Sequence, residues 1–384
     1  MLIRFEVANF RSMLDPVELS MMAIDRSRAG ARPLPGLCKS LLPVAAIFGP
    51  NASGKSNVIA AIAWLREAVR ESLRLWDDEI PVEPFAFAEG RKRLSEFTVE
   101  YAVSGVRYAY AVALDRQAVH YEALFHYSGK NRRRIFERDA QHLKLQRGLG
   151  NLSGTRRLLT PRTLALSIAR RFDEPMVSRF ADHLLAGRTL GLPISGPPAG
   201  GTMSWLDPER PDMPSQADRA QALELLRFVD PGIDDVLIEG PRTRRRTRLV
   251  HRTAEEKAAL DFAQESEGMR AWFDLIGPVL GALKAGSLLL FDGSSEGLHP
   301  TLSMRLLALF RDPVTNPEGA QMVFTSHDAG LLDHLSKDEV WLAEKADGAT
   351  RLGAAGGDEV ACSVIGQLCA RAPKGAGVAP QAPG

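Results

Sequence analysis

The sequence predicts an α/β protein whose core is a mixed, largely parallel sheet, joined to an antiparallel β-subdomain and a helical insertion. Three observations carry this. "VAAIF" (44–48) is a continuous apolar run, the mark of a strand buried on both faces, and it ends abruptly in "GPNASGKS". Past about residue 267, short apolar runs alternate with helical patterns, as they do when helices cover a parallel sheet. Between 97 and 138 the texture is instead rich in Val, Tyr and Phe with short turns, which suits an antiparallel meander.

Taken in order, "LIRFEVA" (2–8) alternates apolar and polar residues and "VELSMMA" follows, reading as paired strands. After the strand 44–48, glycines break the run and a helical pattern extends from about Ser56 to Leu75. "FTVEYAVS", "VRYAYAVAL" and "AVHYEALFHY" form the meander. Residues 140–230 are mostly helical in pattern, interrupted by "GLPISGPPAGG", which has the composition of a loop or linker. A helix is expected over about 267–284, then the strand "SLLLF", a helix after Pro300, the strand "QMVFT", a helix from about 329 and the strand "EVWLAE". The end, "ARAPKGAGVAPQAPG", has the composition of a disordered tail. The expected organisation is 1–139 with the Gly-rich loop and meander, 140–230 as helical insertion, 231–355 as the second half of the head, and 356–384 as a C-terminal segment.

The 384 residues are 45% apolar and 25% charged, with a formal net charge of +1. That balance is ordinary for a globular chain, and bulk charge offers no grip on nucleic acid or membrane. No apolar run approaches the roughly 18 residues that span a bilayer. Arg4 and Glu6 interrupt the first apolar stretch, unlike a signal peptide. Cys38, Cys362 and Cys369 are too scattered for a disulfide framework or a CxxC metal pair, which fits a reducing cytosol and a cytoplasmic location.

Gly49, Gly54, Lys55 and Ser56 occupy the P-loop pattern G-x-x-x-x-G-K-[ST], with a buried strand before it and a helix after. The glycines let successive backbone N–H groups turn inward on phosphate oxygens, and the helix adds its positive end. Lys55 is placed for the β- and γ-phosphates, and Ser56 for Mg²⁺. A P-loop needs a second strand that ends in a carboxylate, and Asp292 after "SLLLF" supplies one. His327, just past "QMVFT", falls at the carboxyl edge where ligands of parallel sheets collect. Ser266 and Gly268 open the helix at "QESEGMRAWFDL". Such a pair offers N–H groups and a hydroxyl to an anion, or simply caps the helix.

In this order the elements resemble the ABC-type ATPases of the RecF/SMC/OLD-like group. More closely, the chain resembles the bacterial AAA-family ATPases found beside effector genes in phage-defence and mobile-element loci. "MLIRFEVANFRSMLDPVELSMMA" resembles the opening of such proteins, "IFGPNASGKSNVIAAI" their phosphate loop, and "DPVTNPEGAQMVFTSHDAGLLD" and "DEVWLAEK" their closing strands. Residues 140–230 match poorly. The resemblance implies a P-loop NTPase with an ABC-ATPase-like head, using ATP and Mg²⁺. By position, Gly49, Asn51, Gly54, Lys55, Ser56 and Asn57 would form the nucleotide loop, with Asn9, Phe10 and Arg11 near the nucleotide. Ser56 and Asp292 would support Mg²⁺, His327 would be the switch histidine, and Leu298 and His299 the D-loop. Ser266 and Gly268 would contact the γ-phosphate held by a second subunit. The resemblance therefore implies a homodimer sandwiching two ATP molecules, and a separately encoded effector, often a nuclease, as partner.

Two departures matter. Gly293 stands where such proteins carry the glutamate that activates water, and "EIPVEPFAFAEG" lacks the usual glutamine. General-base assistance contributes about 10²–10⁴-fold, so ATP binding is expected to survive and hydrolysis to be slow. Glu296, three residues on, is either a substitute base or a solvated turn residue. Three functions stay open: an ATP-dependent switch or scaffold for an effector, a RecF-like DNA-repair ATPase, and a non-hydrolysing ATP-binding scaffold. A GTPase would want an Asn-Lys-x-Asp base reader, which is absent. "PRTRRRTRLVHR" would place Arg242, Arg244, Arg246, Arg248 and Arg252 on one strand face. That row suits either a solvated face paired to acids or a track for DNA phosphates.

Overall fold

The computed structural model describes residues 1–25, 28, 30–34, 39–87, 89–129, 131–192, 216–240, 246–293 and 299–355. A six-stranded sheet lies at the centre, in the order Arg188–Leu190, Leu288–Asp292, Gln321–Ser326, Val44–Phe48, Val340–Ala346 and Ala349–Ala354. The first five strands run parallel and the last closes antiparallel. "VAAIF" is apolar throughout because both of its faces are covered. Val44, Ala46 and Phe48 enter one core and Ala45 and Ile47 the other, all at 0% exposure.

The Ala45 side packs on the helix Lys55–Leu75, through Val58, Ile59, Ile62 and Leu65. That core continues into the inner face of a seven-stranded antiparallel sheet, including Val99, Tyr101 and Tyr110. The sheet runs His142–Leu145, Asn131–Asp139, Val119–Ser128, Val106–Leu114, Ser95–Val103, Leu2–Ala8, Val17–Ser20. The antiparallel pairing read from the sequence thus extends through Leu145 and takes in the chain's opening strands. On the Val44 side lie the helices Gln216–Val229, Glu267–Ala285 and Pro300–Arg311, gathered around the fully buried Trp272.

Between 140 and 230 the described residues include the helices Thr155–Leu158, Ala165–Ala169 and Pro175–Ala186, as well as the strand Arg188–Leu190. Glu122, wholly buried, accepts from the amides of Ala165 and Leu166 and from the Tyr110 hydroxyl. It thereby fixes the start of Ala165–Ala169 against the antiparallel sheet. Burial pushes its carboxyl pKa up, and the neighbouring Arg138 guanidinium opposes that shift.

Two features depart from the sequence reading. The expected helix from 329 is a 3₁₀ turn, Ala329–His334, whose Asp328 side chain accepts from the Gly330 amide. A separate three-stranded sheet, Ile233–Glu239, Arg246–Arg252 and Lys257–Asp261, also forms. In its middle strand the buried Thr247 and Leu249 alternate with arginines, so charge hides the apolar period.

Candidate functional site

Three neighbouring parallel strands end together. Phe48 is paired with Ser326, and Thr325 with Asp292. Gly49, Gly293 and His327 therefore leave the sheet at one carboxyl edge, with Gln321–Ser326 in the middle. Asp292 is buried at 5% exposure, and its Oδ1 accepts from Thr325 Oγ1 at 2.5 Å. His327 is exposed just beyond the middle strand.

The loop between Gly49 and Lys55 is shaped by close approaches. A Cβ on Gly49 would collide with the Ala343 carbonyl of the adjacent strand. Gly54, at φ +98°, is in a conformation that favours glycine, and a Cβ there would collide with the Thr350 hydroxyl. The helix Lys55–Leu75 starts from Gly54 without a side-chain cap. Its first-turn amides thus lack the side-chain acceptor that most helices recruit. Lys55 is 5% exposed and its ammonium donates to Gly49 O (2.9 Å) and Pro50 O (3.1 Å). Burial lowers its pKa from 10.5, and the Asp292 carboxylate pulls it back up.

These residues fit a triphosphate with Mg²⁺. A buried cation and a buried carboxylate lie close enough to interact. Ser53 Oγ is buried among them with no hydrogen-bond partner, the kind of orphan that signals a missing polar neighbour. Among the described residues no three His, Cys, Asp or Glu side chains cluster as a self-sufficient metal site. Mg²⁺ takes one or two protein oxygens and completes its shell with phosphates and water, and Ser56 and Asp292 would supply such oxygens.

Beside the loop opens a cleft of about 320 Å³, lined by Arg11, Ser12, Asn57, Glu83, Phe85, Phe87, Lys345 and Gly348. Glu83–Phe87, from the segment without a glutamine, forms one wall. Arg11 is held there by Glu83, through an amide-to-carbonyl bond of 2.7 Å and a side-chain pair at 2.8 Å. Phe87 remains 64% exposed over the cleft. Asn9 is a brace for this wall. Its Nδ2 donates to Gly90 O and Arg93 O, and its Oδ1 accepts from the Phe85 amide. It sits at φ +52°, which asparagine tolerates better than most residues. Asn9→Ala is expected to cost about 1–3 kcal/mol, because two carbonyls and an amide lose their buried partner. Urea denaturation measures this, and a change below 0.5 kcal/mol, about the scale of neutral surface substitutions, contradicts the brace.

The remaining predicted positions lie on the loop, away from it, or outside the described residues. Ser266 caps its own helix, accepting from the Met269 amide at 3.2 Å, and Gly268 faces open space. Both are exposed. Asn51 is exposed on the loop, and Ser56 and Asn57 are half-buried in the first helical turn. His299 caps the helix Pro300–Arg311. Glu296, Leu298, Arg242 and Arg244 lie outside the described residues. Of the arginine row, Arg246 is exposed, Arg248 meets Glu239 at 3.7 Å and Arg252 meets Asp234 at 3.6 Å. Among the described residues of the row, Arg248 and Arg252 thus face carboxylates. Two contributors escaped the sequence reading, Ser12 and Thr350. Ser12 follows the quoted "NFR" directly, whereas Thr350 sits in a short antiparallel strand with no motif to mark it.

Among the described residues no helix is long and apolar enough to cross a membrane. Among solved structures, the SMC head bound to the C-winged-helix domain of ScpA is similar, with a TM-score of 0.43 and 12% identity over 92% of this chain and 97% of that one. No curated protein matches significantly. Residues 44–333, from the phosphate-loop strand to the turn after His327, match the family described as "AAA domain, putative AbiEii toxin, Type IV TA system". The chain belongs to that family, and carries its AAA-type, P-loop ATP-binding domain.

Proposed function

We propose that the protein is an ATP-binding switch that dimerises on ATP, hydrolyses it slowly and acts on a separately encoded effector in phage defence. The observation that carries this reading is a complete phosphate loop beside Asp292, with Gly293 in the place of a base. In the proposed site the loop amides, Lys55 and Ser53 hold the phosphates, and Ser56 and Asp292 hold Mg²⁺. His327, exposed just beyond the middle strand, would serve the γ-phosphate. Mg²⁺ would supply charge neutralisation on the phosphate oxygens. The cleft beside Arg11 takes the nucleoside, with Phe87 offering a ring face to the base. The exposed Ser266 and Gly268, with open space around the glycine, suit a surface completed by a second subunit. The family description, a putative toxin of a toxin–antitoxin system, supports a chain that acts together with another gene product.

Light scattering coupled to size exclusion tests the dimer. With ATP and Mg²⁺ the mass is expected to double from 41.9 kDa, and Ser266→Arg is expected to hold the chain monomeric while leaving ATP binding intact. A wild-type chain of unchanged mass with and without ATP–Mg²⁺ defeats the switch.

A further inference from the structure

Thr350 touches the phosphate loop from 297 residues away. It is 2% exposed, on the strand that closes the central sheet. Its Oγ1 donates to Ser53 O at 2.9 Å and lies 2.7 Å from Ser12 Oγ. Ser12 Oγ in turn accepts from Asn57 Nδ2 at 2.6 Å, and Ser12 O accepts from the Thr350 amide at 2.6 Å. The proton bookkeeping allows one direction. The Asn57 Nδ2 group can only donate, and the Ser53 carbonyl can only accept. The Ser12 hydroxyl therefore donates to Thr350, and Thr350 donates to Ser53. Every group in this relay has a partner, and aligned donors in a low-dielectric setting reinforce one another.

The relay has a geometric consequence. In a trans peptide the N–H points opposite the C=O. Holding Ser53 O against Thr350 thus turns the Gly54 N–H away from the hairpin formed by Val340–Ala346 and Ala349–Ala354. The same hydroxyl occupies the space that a Gly54 side chain would need. Two residues of the hairpin, Lys345 and Gly348, also line the cleft. We infer that Thr350 is a positioning residue for nucleotide binding, setting the Ser53–Gly54 peptide through a hydroxyl relay with Ser12 and Asn57. The inference rests on the loop holding a nucleotide as proposed above.

Titration calorimetry with ATP–Mg²⁺ tests it on the full chain. Thr350→Val keeps the shape but removes the hydroxyl, and affinity is expected to fall about tenfold, the cost of stranding a buried acceptor. Thr350→Ser restores the hydroxyl and is expected to bind within about twofold of wild type, even if its melting temperature stays low. Ser12→Ala is expected to weaken binding several-fold, and the double variant Ser12→Ala/Thr350→Val no further than Thr350→Val alone, because coupled groups are not additive. A purely structural threonine would move melting temperature without this pattern. Wild-type affinity in Thr350→Val, no rescue by Thr350→Ser, or fully additive losses each overturn the relay. Should Thr350→Val fail to fold, unchanged affinity in Ser12→Ala overturns it. Wild-type protein that releases no heat with ATP–Mg²⁺ defeats the nucleotide reading itself, which separates the two failures.

Discussion

A Lys55→Met chain is expected to lose ATP turnover by about 10²–10³-fold, the scale of removing one preorganised charge from a water-excluded site, with nucleotide affinity falling alongside. At 5% exposure the ammonium has little water to return to, and its partners are Gly49 O, Pro50 O and the field of Asp292. A phosphate oxygen is a better acceptor than either carbonyl, because it carries negative charge and adds Coulomb attraction to the ammonium. Methionine fills much of the volume but leaves two carbonyls undonated and the Asp292 carboxylate without its cation. Stability therefore drops as well, and denaturation must accompany the binding measurement. The pH dependence follows from the same burial. Lys55 is charged below its pKa, and that pKa lies under the usual 10.5. Affinity for ATP is expected to decline on alkaline titration earlier than an exposed lysine would allow, and Lys55→Met is expected to remove that decline. Turnover and affinity in Lys55→Met equal to wild type would sink the whole assignment of the loop.

What the sequence revealed divides along a physical line. Local chemistry was legible. "VAAIF" announced a strand with two covered faces, and "GPNASGKS" announced a turn that only glycines can make against Ala343 and Thr350. The order of Asp292 and His327 followed from strand ends that the parallel topology brings to one edge. Tertiary closure was not legible. Nothing about "DGATRL" says that its threonine will cross to the phosphate loop, since that contact is set by how the final antiparallel strand turns back beside Val340–Ala346. Asn9 likewise resembles a motif residue near nucleotide, yet its side chain is consumed by Gly90, Arg93 and Phe85. Single-turn elements also escaped. "AGLLDHLS" carries helical periodicity, but an Asp-capped segment that short closes as 3₁₀. The arginine row was visible as charge, whereas the pairing that sets Glu239 and Asp234 of the preceding strand beside Arg248 and Arg252 came only with the fold.

The largest gain of function is expected at Gly293, and its size must be read against a steric control. The structure places a Cβ at this position 2.9 Å from Thr325 O and 3.3 Å from the Phe291 ring. Any side chain thus pushes on the strand whose Thr325 hydroxyl holds Asp292. Gly293→Ala isolates that push and is expected to hydrolyse ATP no faster than wild type. Gly293→Glu carries the same push and adds a carboxylate next to Asp292. Relative to Gly293→Ala it is expected to release phosphate about 10²–10⁴-fold faster, the range for general-base assistance. Glu296→Gln completes the logic. If Glu296 already serves as base, its loss slows the wild type by a similar factor and Gly293→Glu becomes insensitive to it. If wild-type release instead matches Gly293→Glu while Glu296→Gln changes nothing, positioning and charge neutralisation by Lys55, Mg²⁺ and His327 suffice, and slow turnover cannot be the timer that keeps a dimer closed.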